Sequence, residues 1–374
     1  MKFIDLRRQY EKLENEINEN IQKVLEHEQF IMGPEVAELE RELAEYTGRK
    51  YAFTCSSGTD ALVIPLMSYG LKKTDAVFVP SFTFFASAES VNLAGGTPVF
   101  VDSKTDFLLD CEDLECRIKR TIAEGKYVPR GIIAVNLFGQ VCDFDEIGRI
   151  AQKYNLFVLE DAAQSMGAAR YGRKSGSFGD VSATSFFPAK PLGCYGDGGA
   201  IFTDDDELAE KIKSIRVHGQ GSGRYDNVRI GLNGRMDTLQ AAILQPKLKI
   251  LDEEIGLRQN VAEGYTQLLS DSFLTPKVLE GNVSAWAQYT LLADSEAQRS
   301  QIVEGMKDAG IPIMVYYATP LHMQGAYSYL GYADTDVENA LELSRRVFSL
   351  PMYPYLNKDE IVGICNRLKS ITGK

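Results

Sequence analysis

The sequence is poor in the residues that build metal centres and disulfide frameworks. It contains one tryptophan, three histidines and six cysteines in 374 residues. The cysteines form no C-x-x-C pair, and the histidines lie far from one another along the chain. Neither a zinc site nor a disulfide framework is therefore indicated, and we expect reduced, mostly buried thiols and no bound metal.

Runs of positive charge and long apolar segments are also missing. The formal net charge is −12 with no basic run to offset it, which argues against a surface for nucleic acid. The longest uncharged apolar stretch, residues 76–88, is too short to span a bilayer. The opening MKFIDLRRQYEKLENE carries charges where a signal peptide needs an apolar segment. We therefore expect a cytoplasmic protein with neither nucleic acid nor membrane as a partner.

The sequence does contain a regular alternation of short apolar runs with helical patterns. Hydrophobic residues (44%) and charged residues (25%) are at the levels of an ordinary globular protein. Continuous apolar strands separated by helices predict an α/β fold, with a mostly parallel central sheet and helices on both faces. The predicted strands are residues 51–54, 76–80, 98–102, 131–137, 157–161, 181–187 and 200–204.

The length of the chain and a change of pattern along it predict two domains. Residues 1–245 contain the N-terminal helices and the predicted sheet, and we expect them to form the larger domain. Residues 246–374 mix helices with fewer strands and are predicted to form a smaller C-terminal α/β domain. A long helix over residues 239–251, which contains Pro246, is expected to join the two.

Three polar segments follow predicted strands: residues 56–59, 161–164 and 185–190. Ligands of open α/β sheets bind beyond the carboxyl ends of the strands, so these segments should meet at one edge. Lys190 is the candidate reactive group, because it lies in a glycine-rich turn between two apolar strands. Desolvation there favours the neutral amine, which attacks carbonyls and forms imines. A solvated loop lysine is the alternative interpretation.

The other two segments also have two interpretations each. Ser57, Gly58 and Thr59 precede a helix, where they suit either phosphate binding or ordinary helix capping. Of the consecutive Glu160 and Asp161, strand alternation predicts that one points into the site and the other away. Asp161 by itself suits a metal ligand, a helix cap or the partner of a cation. An imine-forming lysine, a phosphate cup and a carboxylate for a pyridinium nitrogen are together what pyridoxal 5′-phosphate (PLP) requires.

Ordered motifs along the chain point to the same cofactor. They are FIDLRRQY, GPEVAELE, SSGTDAL, PSFTFFASAE, NLFGQ, EDAAQSMGA, SFFPAKPLGCYGDGGA, HGQ, GLNGRMDTLQAAIL, TPLHMQ and SLPMYP. In these motifs the sequence resembles the DegT/DnrJ/EryC1/StrS family of PLP-dependent nucleotide-sugar aminotransferases. The resemblance implies the aspartate aminotransferase-like fold, PLP fold type I. The lysine motif and HGQ are most similar to the branch that acts on UDP-linked 3-keto sugars of the acetamido uronic acid type.

This resemblance implies a role for each candidate residue. Lys190 would form an imine with the cofactor, Asp161 would pair with its pyridine nitrogen, and Gln164 would contact its ring oxygen. Asn233 would reach the phosphate of the cofactor bound by a second subunit, so that a homodimer would share its active sites. The phosphate would be held by Ser57, Gly58, Thr59 and Ser185, and Phe84 would stack on the ring.

The resemblance also implies substrate contacts from Arg235, Tyr317 and His322. The family pattern His-Tyr-Pro before Pro-Leu-His is Tyr-Tyr-Ala in this sequence, a departure in the segment that would face the sugar. For Arg235 the structural alternative is a salt bridge to Asp237 or another nearby carboxylate. For His322 it is an ordinary loop position beside a proline.

The expected reaction moves an amino group from L-glutamate to a nucleotide-linked keto sugar. A UDP-3-keto-hexose or hexuronic acid is expected, giving an amino sugar for a surface polysaccharide or lipopolysaccharide. The alternatives are a UDP- or dTDP-linked 4-keto-6-deoxy sugar as substrate, or a non-catalytic regulator on the same fold. A sugar dehydratase of this fold has a histidine where this chain has Lys190. A Rossmann nucleotide-sugar-binding protein needs a glycine motif, such as G-x-G-x-x-G, that the sequence lacks.

Overall fold

A computed structural model describes residues 1–223 and 225–374 of the chain. Its helices are α1 Leu6–His27, α2 Pro34–Thr47, α3 Gly58–Ser68, α4 Ala86–Leu93, α5 Cys111–Glu124, α6 Phe144–Tyr154, α7 Asp206–Ile215, α8 Thr238–Lys249, α9 Leu251–Leu269, α10 Glu296–Asp308, α11 Glu338–Arg346 and α12 Lys358–Thr372. Short 3₁₀ turns cover Leu137–Gly139, Leu321–Met323, Gly325–Leu330 and Asp334–Val337.

The strands confirm the alternation that the sequence predicts. They are β1 Tyr51–Cys55, β2 Asp75–Pro80, β3 Thr97–Val101, β4 Val128–Val135, β5 Phe157–Asp161, β6 Ala169–Arg170, β7 Arg173–Lys174, β8 Val181–Ser185, β9 Gly199–Thr203, β10 Asn282–Val283, β11 Tyr289–Leu292 and β12 Val347–Leu350. Seven of them form the central sheet in the order β1-β9-β8-β5-β4-β2-β3. All of its neighbouring pairs are parallel except those made by β9, which runs antiparallel to both β1 and β8.

The register of the sheet places the loops that follow three strands side by side. Asp161, at the end of β5, pairs with Ala183 in β8. Gly199 starts β9 and pairs on one side with Ser185, the last residue of β8, and on the other with Cys55, the last residue of β1. The ends of β1, β5 and β8 therefore lie together at the carboxyl edge of the sheet, as the sequence predicts.

Helices cover this sheet because each presents an apolar face to it. In α6, for example, Ile147, Ile150 and Ala151 are buried and the remaining positions are mostly polar. The Asp143 side chain caps its first turn by accepting a hydrogen bond from the backbone N–H of Glu146. Short capped helices of this kind connect parallel strands and bury both faces of the sheet.

The helix predicted over residues 239–251 is α8, which spans Thr238–Lys249 and so ends two residues earlier than predicted. Helix α8 ends at Lys249, where the backbone N–H of Ile250 bonds to the carbonyl of Lys247 three residues earlier. Helix α9 starts at the next residue. Pro246 lies inside α8, so the proline is not the point at which the helix ends.

The C-terminal part of the chain contributes to two cores. Buried side chains from α9, β11, α10, β12 and α12 form one cluster, which includes Tyr265, Tyr289 and Phe348. Leu321, Tyr327 and other residues between 321 and 347 pack instead with the main sheet. The division into residues 1–245 and 246–374 remains a prediction. Among the described residues, no helix is both long enough and apolar enough to cross a bilayer.

Candidate active site

Asp161 is buried at the end of β5, and two donors hold it there. Its Oδ2 accepts a hydrogen bond from the Ser87 hydroxyl at 2.9 Å, and its Oδ1 accepts one from the backbone N–H of Ala163 at 3.1 Å. Burial raises the pKa of Asp161, and the two hydrogen bonds and the charge of Lys190 oppose that rise. The carboxylate is thus fixed in orientation and lies within reach of one cation.

Glu160 points to the other side of the sheet, as strand alternation predicts. Its carboxylate accepts hydrogen bonds from Asn136 Nδ2 at 2.7 Å, from Ser175 Oγ at 2.8 Å and from the backbone N–H of Phe178 at 2.9 Å. These contacts join β5 to the segment before β8. Of the two consecutive carboxylates, only Asp161 faces the edge that carries Lys190.

Lys190 lies in a loop that leaves β8 and returns to β9. The loop is closed at its base by the backbone N–H of Cys194, which donates to the carbonyl of Phe186 at 2.8 Å. The backbone N–H of Lys190 donates to the carbonyl of Phe187 at 2.9 Å. Burial lowers the pKa of the Lys190 amine, while the charge of Asp161 acts to raise it. The lysine is therefore partly buried and lies within the electrostatic influence of one carboxylate.

Ser57, Gly58 and Ser185 form a close-packed cradle at the start of α3. A Cβ atom placed on Gly58 would lie 2.5 Å from the Cβ of Ser185 and 2.8 Å from its Oγ. Ser57 caps α3, because its hydroxyl accepts from the backbone N–H of Asp60 at 3.0 Å. Thr59 follows in the first turn of the helix. The cradle joins a helix N-terminus to serine hydroxyls, which together suit an anion such as a phosphate.

Gln164 connects this edge to two other parts of the chain. Its Oε1 accepts a hydrogen bond from the backbone N–H of Phe138 at 2.6 Å, and its Nε2 donates to the Tyr317 hydroxyl at 3.1 Å. The ring of Tyr317 lies 6.1 Å from that of Phe84. The Phe84 side chain is 56% exposed, so one face of its ring is open to a ligand.

Asn233 and Arg235 contact each other at the surface. Asn233 Oδ1 accepts from Arg235 Nη2 at 2.6 Å and from its Nε at 3.0 Å. Among the described residues, Arg235 makes no salt bridge to Asp237, so that structural alternative is not what this chain adopts. The Arg235 guanidinium and the Asn233 amide instead lie together at the surface. The exposed residues 30–32 are close by in the fold, because their backbone pairs with Asp237 and Thr238.

His322 is buried, at 3% exposed, and bonds to the end of β2. Its Nδ1 lies 2.7 Å from the Ser81 hydroxyl, and the backbone N–H of Leu321 donates to the Ser81 carbonyl at 2.8 Å. Burial lowers the pKa of His322. Its ring therefore fixes the segment that carries Tyr317 against the sheet, and its role as a direct substrate contact stays a prediction.

Sequence reasoning missed two residues that support the site. Ser87, which orients Asp161, follows a predicted strand within PSFTFFASAE but resembles any helix serine. Lys247, which is 1% exposed, donates from Nζ to the carbonyl of Gly193 at 2.6 Å and lies 4.0 Å from the centre of the Tyr195 ring. It holds the far end of the Lys190 loop. Its place among the apolar residues of α8 was the only signal in the sequence.

The residues at this edge fit PLP on structural grounds. The cradle of Gly58 and Ser185 leaves no room for a Cβ atom and offers hydroxyl and backbone N–H donors for a phosphate. The oriented Asp161 suits a protonated ring nitrogen, and the desolvated Lys190 suits imine formation with an aldehyde. Among the described residues, no group of three His, Cys, Asp or Glu side chains could hold a metal ion.

Curated proteins similar to this chain include both an enzyme and a regulator. One is the UDP-2-acetamido-2-deoxy-3-oxo-D-glucuronate aminotransferase of Pseudomonas aeruginosa, 46% identical over 98% of this chain and 99% of that protein. Another is the pleiotropic regulatory protein of Geobacillus stearothermophilus, 40% identical over 96% of this chain and 95% of that protein.

Solved structures extend the likeness to three dimensions. A DegT/DnrJ/EryC1/StrS aminotransferase from Brucella abortus is 46% identical, covers 100% of both chains and superposes with a TM-score of 0.97. NtdA from Bacillus subtilis, solved with bound cofactor PMP, is 28% identical and has a TM-score of 0.90 over 100% of this chain and 85% of NtdA. These likenesses confirm the expected fold class. The sequence model of the DegT/DnrJ/EryC1/StrS aminotransferase family matches residues 11–369, and the chain therefore belongs to this family.

Proposed function

We propose that this chain is a PLP-dependent aminotransferase that moves an amino group from L-glutamate to a UDP-linked 3-keto sugar with a carboxylate at C6. Aminotransferase activity on a nucleotide sugar and the PLP cofactor, both expected from the sequence, are confirmed by family membership and by the relatives. The identity of the ketone is supported by the Pseudomonas aeruginosa relative, whose name specifies such a sugar. The observation that carries the assignment of residues is that the charges of Lys190 and Asp161 act on each other at the sheet edge that also carries the Gly58 cradle.

Lys190 is the residue to which we assign proton transfer in the reaction. When bound, PLP supplies an aldehyde that carries the amino group and a ring that accepts the electrons of the broken Cα–H bond. Lys190 is the general base and acid. Its neutral Nζ takes the proton from Cα of the amino donor, and in the second half of the reaction the protonated amine gives a proton to the sugar carbon that receives the amino group. Because burial lowers the pKa of Lys190, the neutral form is available at lower pH than for a solvated lysine.

When PLP is bound, Asp161 would hold a proton on its ring nitrogen. The Ser87 hydroxyl and the Ala163 N–H fix the carboxylate, so it does not need to reorganise during the reaction. A positive charge on that nitrogen also restores the ionic form of a buried carboxylate, because an opposite charge nearby lowers its pKa. When PLP is bound, Ser57, Gly58, Thr59 and Ser185 would hold its phosphate, and Gln164 and Phe84 would contact its ring.

We infer that a second copy of the chain completes the site. Phe84 (56% exposed) and Phe187 (53% exposed) present large apolar surfaces at the carboxyl edge of the sheet. Phe30, Ile31 and Met32, each more than 40% exposed, lie next to the Asn233–Arg235 segment. Groups of exposed large apolar side chains are typical of protein interfaces, and this supports the inference of a partner subunit. In a homodimer the exposed Asn233 and the half-buried Arg235 would be available to the phosphate and the substrate of the partner.

The similarity to a pleiotropic regulatory protein supports a second candidate, a regulator without catalysis. Against it stands the complete set of Lys190, Asp161, Gln164 and Ser185 at one edge. A regulator could retain the cofactor, so the two candidates differ in turnover rather than in PLP binding.

The purified protein should show a visible absorbance band that borohydride removes, and L-glutamate should convert this band to one at shorter wavelength. Lys190→Ala should lack the band, whereas Lys213→Ala, an exposed lysine on α7, should keep it. UDP- and dTDP-linked 3-keto and 4-keto sugars, with and without a C6 carboxylate, should then be tested for restoring the band. A band that persists in Lys190→Ala would disprove the assignment. A band that glutamate leaves unchanged would favour the regulator.

A further inference from the structure

A buried polar network lies on the face of β5 to which Glu160 points. Its centre is Asn136, the residue after β4, which has no exposed surface. Asn136 Nδ2 donates to Glu160 Oε1 at 2.7 Å, and Asn136 Oδ1 accepts from the backbone N–H of Cys142 at 2.9 Å. The backbone N–H of Asn136 donates to the carbonyl of Asp161 at 3.0 Å. Asn136 therefore joins the end of β5 to the chain that follows β4.

Glu160 determines the orientation of the Asn136 amide. Three further donors bond to the Glu160 carboxylate: the Ser175 hydroxyl at 2.8 Å and the backbone N–H groups of Gly176 and Phe178 at 3.1 and 2.9 Å. Donors in this number suit the ionised carboxylate, which only accepts hydrogen bonds. Asn136 must therefore point its Nδ2 toward Glu160, and this leaves its Oδ1 to accept from the far end of the turn.

The turn that follows Asn136 carries the donor that orients Gln164. It spans Leu137–Gly139, and the backbone N–H of Phe138 within it donates to Gln164 Oε1 at 2.6 Å. Because Oε1 is engaged in this way, the Gln164 amide directs its Nε2 into the site, where it donates to the Tyr317 hydroxyl at 3.1 Å. The other Nε2–H bonds to no acceptor among the described residues, so the oxygen of a ligand can accept it.

Phe138 needs contacts on both sides to keep its position. Its φ angle is 59°, a left-handed conformation that is unfavourable for a bulky residue and persists only where surrounding contacts fix it. Asn136 Oδ1 closes the turn on one side. On the other side the backbone N–H of Ala285 donates to the Gly139 carbonyl at 2.8 Å. Loss of the Asn136 side chain would therefore let Phe138 relax and move its N–H away from Gln164.

We propose that Asn136 and Glu160 are positioning residues for the cofactor, which act through the turn at Phe138 to make Gln164 present a hydrogen-bond donor to the ring oxygen. This rests on the proposed function, in which Gln164 contacts that oxygen. A donor there stabilises negative charge on the oxygen and weakens its attraction for the proton on the nitrogen that joins Lys190 to the cofactor. Without the donor, this proton should be lost at a higher pH.

The test is a pH titration of the visible absorbance band of the PLP-loaded enzyme. Gln164→Ala should raise the midpoint by about one pH unit, the effect of one charge-assisted hydrogen bond. Asn136→Ala should shift it in the same direction, and the double variant should match Gln164→Ala alone, because both changes remove the same donor. Glu160→Gln, which keeps the volume of the side chain but not its charge, should also raise the midpoint.

Thr203→Val is the control for a loss of stability away from the site. Thr203 is buried, its hydroxyl donates to the Asp180 carbonyl at 2.9 Å, and it pairs with the first residue of β8 at the opposite edge of the sheet. This variant should lower the unfolding temperature and leave the midpoint unchanged. If Asn136→Ala does not fold, Glu160→Gln with and without Gln164→Ala makes the same comparison.

Four results would contradict these assignments. An unchanged or lowered midpoint in Asn136→Ala and Glu160→Gln would overturn the proposal, and so would shifts that add to that of Gln164→Ala. A shift in Thr203→Val as large as that in Asn136→Ala would overturn it too, because the midpoint would then follow stability alone. These three results leave the proposed function intact. A wild-type protein without a visible band would instead refute the proposed function, and the positioning role with it.

Discussion

At the scale of single residues, Lys190 and Asp161 set each other's protonation. Burial works against both charges: it lowers the pKa of the lysine and raises that of the aspartic acid. Each charge in turn stabilises the other. In the apoprotein this competition would decide how much neutral Lys190 amine is present for its proposed reaction with the cofactor.

The rate of PLP capture by the apoprotein should therefore depend on pH in a predictable direction. The rate should rise as Lys190 loses its proton, with a midpoint below the 10.5 of an ordinary lysine, because burial lowers its pKa. Asp161→Asn removes the charge that raises this pKa, so its midpoint should move further down. Ser87→Ala keeps the carboxylate and should leave the midpoint near that of the wild type. Appearance of the visible band after rapid mixing measures the rate, and an upward shift in Asp161→Asn would contradict the pairing.

Lys247 is predicted to connect protein stability to the position of the Lys190 loop. Burial lowers the pKa of Lys247 to about 8, although Cys194 and Glu254 act to raise it. Between pH 8 and 10.5 the folded state binds fewer protons at this group than the unfolded state does, so its contribution to stability rises with pH. The total rise is on the order of 3 kcal/mol.

Lys247→Met should remove this pH dependence of the unfolding free energy, measured in denaturant between pH 7.5 and 10.5. It should also leave the Gly193 carbonyl without its donor and lower the turnover number more than the affinity for the sugar. Lys249→Met, an exposed lysine two residues along α8, is the control and should keep both properties. The same pH slope in Lys247→Met and the wild type would show that the buried amine does not titrate as described.

At the scale of elements, the start of α3 packs closely against the end of β8, and together they form the proposed phosphate cradle. Gly58→Ala should weaken PLP binding by roughly 10- to 100-fold, because the added Cβ would lie 2.5 Å from that of Ser185 and would displace charge-assisted donors. Gly148→Ala is the matched control: its Cβ meets nothing within 4 Å in α6, and it should stabilise the helix by about 1 kcal/mol. Equilibrium dialysis of PLP and thermal unfolding separate the two effects, and equal PLP affinity in both variants would rule out the cradle.

At the scale of the whole molecule, the proposed sharing of active sites between two subunits predicts complementation between inactive variants. Lys190→Ala removes the amine from its own subunit, whereas Asn233→Asp places a carboxylate against the phosphate of the partner. After unfolding and refolding together in equal amounts, half of the dimers should be hybrids with one intact site. The mixture should therefore recover about a quarter of wild-type activity. Recovery of no activity from soluble dimers would place both residues in the same subunit's site.

The sequence predicted the site more completely than it predicted the boundaries of elements. Strand β5 and the edge carrying Asp161 and Lys190 followed from apolar runs and the rule for parallel sheets, since local pattern and register agree there. The helix predicted over residues 239–251 is present as α8, but its end was placed two residues too late, because helix α9 follows after Ile250 alone and local pattern continues across that residue. Ser87 and Lys247 were missed because their partners are distant in sequence.

The sequence by itself determined the α/β fold class and the family, because the apolar runs and the contiguous motifs encode both. The chemistry of Lys190, Asp161 and the Ser57–Gly58 cradle is a prediction from the same motifs. Only the tertiary structure decided which of Glu160 and Asp161 faces the lysine and that Arg235 binds Asn233 rather than Asp237. It also decided that His322 is buried against Ser81. Burial and orientation arise from contacts between segments far apart in the chain, and local sequence does not encode those contacts.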